Sequence, residues 1–270
     1  MSIPKKIHYC WFGRGEKPEL VKKCMESWKK FCPDYEIIEW NEDNIDISAN
    51  QYAKEAYEKK KYAFVADYAR LYVLYNEGGI YMDTDVEVLK PLDKFLEEKA
   101  FSGFENNNKL TTGIIAAEKH NEWIGDLFHI YDDLKFLDAK GEMDLTTNVE
   151  RVTKVTHEKY GLEEKSCYQN LKDGTVVFYP SEYFSPKDWF TGNINVKENS
   201  YTIHHFSASW HSEKEKNNER MYKKKLNRYI EKYKDVEVAK QKLNQMETYK
   251  FYLIHPVKAV KRIFEKMRGK

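Results

Sequence analysis

The sequence predicts an α/β fold in which helices cover both faces of a mainly parallel sheet, and three observations support this prediction. The N-terminal part alternates between a strand-like apolar stretch at 6–12, a helical pattern at 18–31 and a second strand-like stretch at 35–40. Such strand–helix–strand units build parallel sheets. A further apolar run at 80–82 follows a helical segment that ends at a glycine pair. Hydrophobic residues make up 41% of the 270 residues, which is enough for the core of one large domain.

The composition excludes several classes of protein. Lys and Arg number 45 against 44 Asp and Glu, and the resulting net charge of +1 gives no indication of nucleic-acid binding. No apolar run approaches the roughly 20 residues that span a membrane, and the N-terminus does not resemble a signal peptide. The cysteines show neither metal-binding spacing nor a disulfide framework, so we expect a reducing, cytoplasmic location. They are Cys10, Cys24, Cys32 and Cys167.

The next two segments are predicted to be helices. Residues 53–60 have an exposed helical pattern, whereas residues 62–75 combine large apolar side chains with alanines that allow close packing. Asp67 and Arg70 lie three residues apart in the second segment, so they share one helix face. The glycine pair that follows ends this helix, because glycine readily adopts the left-handed backbone of a C-terminal cap.

The remainder of the chain continues the alternation of strands and helices. The sequence predicts strands at 100–104, 112–117, 176–179 and 201–206, and helices at 92–99, 122–137 and 148–160. From residue 213 onward the chain is highly charged and helical in pattern. We therefore expect a first domain at 1–211 and a helical C-terminal extension at 212–270.

Asp83 and Asp85 form the most informative motif, because they directly follow the apolar run at 80–82. In an extended chain the two side chains point to the same side, since side chains alternate with a period of two. Two carboxylates on one side suit Mg²⁺ or Mn²⁺, which commonly bind one or two carboxylates together with substrate phosphates. The alternative is a polar turn between two strands, with no ligand.

Three stretches together resemble glycosyltransferase family 32, whose sugar-binding region contains an Asp-x-Asp motif. They are residues 3–13, residues 66–85 with Ala-Asp-Tyr-Ala-Arg and Gly-Gly-Ile-Tyr-Met-Asp-Thr-Asp, and residues 204–210 with His-His-Phe-Ser-Ala-Ser-Trp. The family includes bacterial surface-polysaccharide transferases, eukaryotic initiating mannosyltransferases and glucosylating cytotoxins. The resemblance implies a Rossmann-like GT-A fold, a nucleotide-sugar donor, a divalent metal ion and transfer with retention of anomeric configuration.

The resemblance also implies a metal site and a donor-binding pair. Asp85 is expected to bind the metal directly, Asp83 to reach the metal or the ribose, and His205 to complete the coordination. For His205 the alternative is a histidine of the core. Asp67 and Arg70 match the donor-binding pair, in which the carboxylate accepts sugar hydroxyls and the guanidinium holds a phosphate or sugar oxygen. The alternative for this pair is a surface ion pair of little energetic value.

Four more residues are implied in donor binding or catalysis. Trp11 is expected to stack on the base and Tyr81 to line the donor site; for each of them the alternative is a core residue. Trp210 is expected to cover the phosphates and Asn148 to reach the reacting sugar. No protein base is expected, because front-side attack allows a donor phosphate oxygen to take the acceptor proton. The expected catalytic set is Asp67, Arg70, Asp83, Asp85 and Asn148.

These implications lead to an expected function. The protein would move a hexose from a nucleotide-diphosphate sugar, with UDP-hexose favoured and Mn²⁺ or Mg²⁺ as cofactor, to a glycan or lipid-linked glycan of a capsule or lipopolysaccharide. One alternative is a protein-glucosylating effector. Another is a non-catalytic carbohydrate-binding protein on the same fold, against which the intact Asp83 and Asp85 argue.

The segment 251–270 is predicted to form a basic amphipathic helix. Apolar residues recur at near-helical spacing, and six Lys and Arg side chains stand against one Glu, so the segment carries a net charge of +5. Such a helix can lie in the interface of an anionic bilayer, where a peripheral enzyme would reach a lipid-linked acceptor. The alternative is that its apolar face packs on the first domain or on a second subunit.

Overall fold

The computed structural model of the chain describes residues 2–106, 108–189, 191–207, 213–234, 238–239 and 241–243. The chain divides into two compact units. The first consists of Met1–Trp189 and Asn193–Trp210, and the second of Phe190–Gly192 and His211–Lys270. The boundary at residue 211 between a catalytic domain and a helical extension stays a prediction.

Two β-sheets form the frame of the first unit. Among the described residues, the larger sheet contains seven strands and the smaller sheet two. In chain order the strands are β1 (Lys6–Cys10), β2 (Glu36–Trp40), β3 (Gly79–Met82), β4 (Val86–Val88), β5 (Ala100–Gly103), β6 (Ile114–Ala117), β7 (Gln169–Leu171), β8 (Val176–Tyr179) and β9 (Thr202–His204).

The larger sheet has the strand order β2-β1-β3-β6-β5-β8-β7. Strand β1 is parallel to β2 and β3, and β5 is parallel to β8. Strand β6 runs antiparallel between β3 and β5, and β7 is an antiparallel strand at the edge. In the smaller sheet β4 and β9 are antiparallel. The predicted α/β class is confirmed, with antiparallel pairs that the strand–helix–strand pattern does not indicate.

In the described part of the chain, α-helices lie in four of the eight connections between consecutive strands. The α-helices are α1 (Glu19–Phe31), α2 (Gln51–Glu58), α3 (Tyr62–Glu77), α4 (Glu122–Phe128), α5 (Asn148–Tyr160), α6 (Ser181–Phe184) and, in the second unit, α7 (Glu213–Tyr233). The helix predicted at 92–99 is only a 3-10 turn at Asp93–Phe95. Strand β7 is not predicted, because its Gln-Asn-Leu sequence lacks an apolar alternation.

The helix predicted at 122–137 is also shorter in the structure. It ends at Phe128 and continues as a 3-10 turn at His129–Asp132. The backbone N–H groups of Phe136 and Leu137 donate instead to the carboxylate of Glu55, each at 2.9 Å. The apolar spacing of this stretch therefore reflects two differently folded segments that reach the same core.

Hydrophobic side chains fill one layer on each face of the larger sheet. Tyr81 of β3 packs into one layer, whereas its neighbours Ile80 and Met82 pack into the other, as the period of two in a strand requires. Helix α3 belongs to the first layer and is buried around most of its circumference. Helix α1 covers the second layer, where the indole N–H of the fully buried Trp28 donates to the Val86 carbonyl at 2.7 Å.

A glycine pair connects α3 to β3 and thereby sets where the Asp-x-Asp motif begins. Gly78 and Gly79 have φ angles of +66° and +113°, which residues with a Cβ rarely adopt. A Cβ on Gly79 would lie 2.8 Å from Nε2 of His8 and 2.9 Å from the carbonyl oxygen of Lys6. Nε2 of His8 donates to the Gly78 carbonyl, and its Nδ1 accepts from the indole of Trp40. Burial lowers the pKa of His8, so this imidazole is a neutral bridge.

The second unit contributes a helical segment of high charge. In its described part, Leu226 of α7 packs with Ala239 and Leu243. None of the helices that the structure describes is both long and apolar enough to cross a membrane. The amphipathic segment predicted at 251–270 lies outside the described residues.

Replacing Gly79 by Ala should destabilise the protein by about 2–5 kcal/mol, from backbone strain and from the clash with His8 and Lys6. Gly141→Ala is the matched control, because Gly141 also has a positive φ (+78°) but has open space where a Cβ would stand. Urea unfolding of both variants measures the difference. Equal losses of stability would show that the close approach at Gly79 contributes nothing.

Candidate functional site

The Asp-x-Asp motif forms a tight turn between β3 and β4. The backbone N–H of Asp83 donates to the Gly113 carbonyl at 2.8 Å, and the Val86 N–H donates back to the Asp83 carbonyl at 2.9 Å. The backbone is therefore not extended across the motif, and the polar-turn alternative describes it. The turn still presents both carboxylates at one place, with side-chain exposures of 25% for Asp83 and 10% for Asp85.

His204 joins the two carboxylates from the other end of the chain. Strand β9 pairs with β4 so that His204 lies opposite Val86. Its Nε2 is 3.2 Å from Oδ1 of Asp85 and 3.9 Å from Oδ2 of Asp83. One potential ligand atom from each of the three residues lies within 4.8 Å of the others. Gly113 makes room for the imidazole, since a Cβ there would be 2.7 Å from its Nδ1.

The charges of this triad support one another. Burial would raise the pKa of Asp85, but the charge of His204 and hydrogen bonds from His204 and Ser207 hold it well below its usual range. Burial would lower the pKa of His204, yet Asp85, followed by Asp83 and Glu105, raises it to about 9. Carboxylate oxygens and an imidazole are a suitable ligand set for Mn²⁺. Among the described residues, Nδ1 of His204 is buried without a hydrogen-bond partner, but Nε2 is the nitrogen that faces the two carboxylates. A divalent ion would take the place of the proton on Nε2, because a histidine ligand must be neutral. The two carboxylates and this nitrogen therefore fit a divalent ion.

His205, the predicted third ligand, points elsewhere. Its Nε2 lies 2.8 Å from the carboxylate of Glu87, on the other side of the short sheet. Adjacent side chains alternate in an extended segment, so only one of the two histidines can face the Asp-x-Asp turn. The backbone N–H of His205 donates to the Asp85 carbonyl at 2.9 Å. The structure thus replaces His205 by His204 in the candidate metal site and gives His205 a supporting position.

Ser207 fixes the second carboxylate from the same late segment. Its backbone N–H donates to Oδ2 of Asp85 at 2.7 Å. Asp85 is thus held by a charged partner through one oxygen and by a backbone donor through the other. This arrangement orients the carboxylate without help from any residue near it in sequence.

Arg70 connects the Asp-x-Asp turn to helix α3. Its Nη2 donates to Asp67 at 2.9 Å, and its Nη1 donates to the Thr112 carbonyl at 2.7 Å and lies 3.2 Å from Oδ1 of Asp83. The guanidinium also lies 4.7 Å from the centre of the Tyr81 ring. Burial disfavours the charge, but Asp83 above all raises the pKa of Arg70, so it stays a cation. Arg70 therefore organises the protein groups around it, and the contact with the donor that the sequence suggests stays a prediction.

Asp67 lies on the far side of Arg70 from the turn. Burial raises its pKa to about 6, although Arg70 and a backbone hydrogen bond from Asn148 act in the opposite direction. Asn148 is the first residue of α5 and is 2% exposed. The structure thus brings Asp67, Arg70, Asp83 and Asn148 into one connected group.

The aromatic residues predicted for the site have different positions. Tyr81 is 1% exposed, and its hydroxyl donates to Oδ1 of Asp83 at 3.1 Å. Trp11 follows β1 and is only partly buried, with its indole donating to the Gly15 carbonyl at 2.7 Å. Cys10 directly precedes Trp11. Burial raises the pKa of its thiol, and the charges of Arg70 and Asp83 also act on it, so the end of β1 lies near the connected group. Trp210 lies outside the described residues.

Sequence reasoning misses His204, Ser207 and Glu105. Glu105 follows β5, and burial raises the pKa of its carboxyl, which also senses His204 and Asp83. The signal for His204 is present as one of two adjacent histidines in a predicted strand, but only the pairing of β9 with β4 decides between them. Ser207 acts through its backbone, for which side-chain patterns give no signal.

Comparison with known proteins identifies the region that contains this site. Residues 18–102 match a family described as "Glycosyltransferase sugar-binding region containing DXD motif". The matched range includes Asp67, Arg70 and the Asp-x-Asp turn. The recognition of the family from the sequence is therefore confirmed for this region. Together with the mixed α/β sheet, the match agrees with the expected GT-A class.

Two curated relatives are mannosyltransferases. Inositol phosphoceramide mannosyltransferase 3 of Schizosaccharomyces pombe is 33% identical over 116 residues, which are 39% of this chain and 32% of that protein. Initiation-specific alpha-1,6-mannosyltransferase of Candida albicans is 28% identical over 132 residues, which are 45% of this chain and 34% of that protein. The chain thus matches about a third of the length of each relative.

A solved structure also resembles the chain in part. It is described as PaToxG Glycosyltransferase, has 19% sequence identity and a TM-score of 0.44, and the likeness covers 58% of this chain and 70% of that one.

Arg70→Met should lower the free energy of unfolding by about 3–5 kcal/mol, because it leaves Asp67 and Asp83 without their shared buried cation. Arg14→Met is the control, since Arg14 also pairs with an aspartate, Asp43, but is 63% exposed. We expect the control to change stability little. The measurement is urea unfolding at neutral pH. A loss for Arg70→Met no larger than that of the control would contradict the organising role of Arg70.

Proposed function

We propose, from the glycosyltransferase sugar-binding region at residues 18–102, that this chain is a metal-dependent, retaining hexosyltransferase that uses a nucleotide-diphosphate sugar. The single observation that supports this most is the meeting of Asp83, Asp85 and His204 beside the Asp67–Arg70 pair. The Arg70 guanidinium then has the candidate cation site at Asp83 on one side and the Asp67 carboxylate, which can accept sugar hydroxyls, on the other.

Asp83, Asp85 and His204 would hold Mn²⁺ or Mg²⁺ in this proposal. The ion would supply Lewis-acid stabilisation of the charge on the leaving nucleoside diphosphate. The residues around it fix the ligands. Ser207 holds Asp85 through its backbone N–H, and Tyr81 and Arg70 both contact Oδ1 of Asp83. Such supporting contacts orient metal ligands and tune their affinity.

The other residues of the connected group would hold the sugar. Asp67 accepts hydrogen bonds from sugar hydroxyls, and Arg70 keeps that carboxylate charged and in place. Asn148 approaches the reacting sugar from the start of α5. Retention follows from front-side attack, in which a phosphate oxygen of the donor takes the proton of the acceptor hydroxyl. The set Asp67, Arg70, Asp83, Asp85 and Asn148 thus positions the reactants without a protein base.

Trp11 would bind the base of the nucleotide. It follows β1 at the carboxyl edge of the larger sheet, where ligands of open α/β sheets bind. Its ring is partly exposed and lies beneath the ammonium of Lys17, 5.6 Å from the ring centre. Trp210 would cover the phosphates, as the family resemblance implies. UDP is the favoured nucleotide, and the two mannosyltransferase relatives add GDP-mannose to the donors worth testing.

The proposed acceptor is a glycan or lipid-linked glycan of a surface polysaccharide, and the proposed location is the cytoplasm, with attachment to the inner face of the membrane. The basis for attachment is the basic amphipathic pattern at 251–270, whose net charge of +5 favours anionic lipid. This pattern is also what would keep a soluble catalytic unit near a membrane-bound acceptor.

A donor panel tests the proposed activity. Release of nucleoside diphosphate is measured with UDP-glucose, UDP-galactose, UDP-N-acetylglucosamine and GDP-mannose, each with Mn²⁺ and with a chelator. We expect release from one of these donors, with Mn²⁺ only, and its loss in Asp85→Asn. Release that persists in chelator would overturn metal dependence. No release from any donor would favour the non-catalytic carbohydrate-binding alternative.

The two histidines give a sharper test of the metal site. His204→Ala should raise the Mn²⁺ concentration for half-maximal release by at least about tenfold, since even loss of a supporting partner of a ligand typically costs ten- to hundredfold in metal affinity. His205→Ala is the neighbouring control and should have a smaller effect, because His205 contacts Glu87 rather than Asp83 or Asp85. The reverse order of the two effects would restore His205 as the ligand.

A further inference from the structure

A second polar cluster lies beside Asp67 at the start of α5. It consists of Tyr52, Asp144, Asn148 and Arg151, and we refer to it as the α5 corner. Asn148 and Arg151 are three residues apart on α5 and therefore share one face of that helix. The α5 corner adjoins the proposed donor site, because the Asn148 N–H bonds to Asp67 and the charge of Arg151 acts on the same carboxylate.

The residues of the α5 corner hold one another in place. Arg151 pairs with the carboxylate of Asp144 through Nη2. Its guanidinium also lies 5.9 Å from the centre of the Tyr52 ring. The hydroxyl of Tyr131 donates to Oδ1 of Asn148 at 3.5 Å, which directs the amide NH₂ of Asn148 away from Tyr131. These contacts fix where the side chains of Arg151 and Asn148 lie in the structure.

Three polar groups in the α5 corner have no hydrogen-bond partner among the described residues. They are Nδ2 of Asn148, Nε of Arg151 and the hydroxyl of Tyr52, and all three atoms are shielded from solvent. Burial raises the pKa of Tyr52, whereas the charge of Arg151 and a hydrogen bond from its guanidinium act in the opposite direction, so the two groups lie within reach of each other. Neither the Tyr52 hydroxyl nor Nε of Arg151 makes a hydrogen bond of full geometry. Buried polar groups in folded proteins are normally paired. Two N–H donors and a hydroxyl without partners therefore indicate an oxygen-bearing ligand.

In the part of the chain that the structure describes, the charges around the α5 corner leave no free cation for an anionic ligand. Arg70 and Arg151 supply two cations, Asp67 and Asp144 supply two carboxylates, and Asp83 also shares Arg70. A ligand that carries its own carboxylate gains no net attraction here and would lie close to both aspartates. A neutral hydroxyl oxygen satisfies the open donors at no charge cost.

We propose that Arg151, with Asn148 and Tyr52, recognises a hydroxyl oxygen of the transferred sugar, and that this sugar is a neutral hexose rather than a hexuronic acid. The inference rests on the proposed function, since it assumes that a sugar nucleotide binds beside Asp67. Arg151 then acts as a specificity residue. A site built to bond a substrate hydroxyl discriminates strongly, because a sugar without that oxygen leaves buried donors unpaired.

Calorimetry in the presence of Mn²⁺ tests this inference with the full chain. The affinity of each sugar nucleotide is compared with that of its own nucleoside diphosphate, using UDP-glucose and UDP-galactose against UDP, and GDP-mannose against GDP. The ratio isolates the contribution of the sugar from that of the nucleotide. UDP-glucuronic acid against UDP supplies the anionic counterpart.

Arg151→Lys is the principal variant, because it keeps a cation for Asp144 but removes Nε and the planar fork. We expect it to lower the sugar contribution by about tenfold, the value of one charge-assisted hydrogen bond, and to leave nucleoside diphosphate affinity unchanged. Lys154→Met is the control on the same helix, since Lys154 is 73% exposed. Thermal melting confirms that both variants are folded.

The outcomes separate this inference from the proposed function. An unchanged sugar contribution in Arg151→Lys overturns the role of Arg151, and the open donors then belong to a structural water. A wild-type protein that binds nucleoside diphosphates but gains nothing from the neutral sugars also overturns it, while the nucleotide site stands. Tighter binding of UDP-glucuronic acid than of the neutral donors overturns the choice of sugar class. Failure to bind any nucleotide or sugar nucleotide refutes the proposed function itself.

Discussion

The buried guanidinium of Arg70 is the constraint on which the rest of the site depends. It is shared by Asp67 from its own helix, by Asp83 from the following turn and by the Thr112 carbonyl that precedes β6. Removing two carboxylates from water is costly unless a cation compensates them. Arg70 compensates the charge of both Asp67 and Asp83, and its planar guanidinium fixes the distance between the two carboxylates. The small residues of α3 and the glycine pair after it serve this arrangement, because they allow α3 and β3 to pack closely enough for one arginine to reach both.

The antiparallel direction of strand β6 places the segment before it next to the Asp-x-Asp turn. In an all-parallel sheet the neighbour of β3 would run in the same direction, and its preceding loop would lie at the opposite edge. Here the segment before β6 lies at the edge where β3 ends. The Thr112 carbonyl therefore meets Arg70, and the Gly113 carbonyl accepts from the N–H of Asp83. The absence of a side chain at Gly113 also leaves the space that His204 occupies. A topological detail thus determines which ligands can converge.

Local sequence patterns predict much of this structure, and long-range pairing explains what they miss. The alternation of strands and helices and the spacing of Asp67, Arg70, Asp83 and Asp85 are local, so the α/β class and the core of the site follow from them. The choice between His204 and His205 depends on the register of β9 against β4, which no local pattern contains. The commitment of Arg70 to protein partners likewise depends on β6, which the chain supplies only later. The turn at the Asp-x-Asp motif differs from the expected extended chain because the Asp83 carbonyl accepts from Val86.

The pairing of β4 with β9 has a consequence for the order in which the molecule is made. The carboxylates leave the ribosome long before the histidine that meets them, and closing so long a loop costs entropy that only the finished sheet repays. A nascent chain that has reached α5 holds Arg70 and both aspartates but neither the imidazole nor the backbone donor of Ser207. Its Asp83 then has the contact with Arg70, whereas Asp85 has neither of the partners that fix its carboxylate. The group formed by Asp83, Asp85 and His204 is thus complete and supported only when synthesis has passed residue 207, and a polypeptide truncated before β9 lacks both the imidazole and the backbone donor.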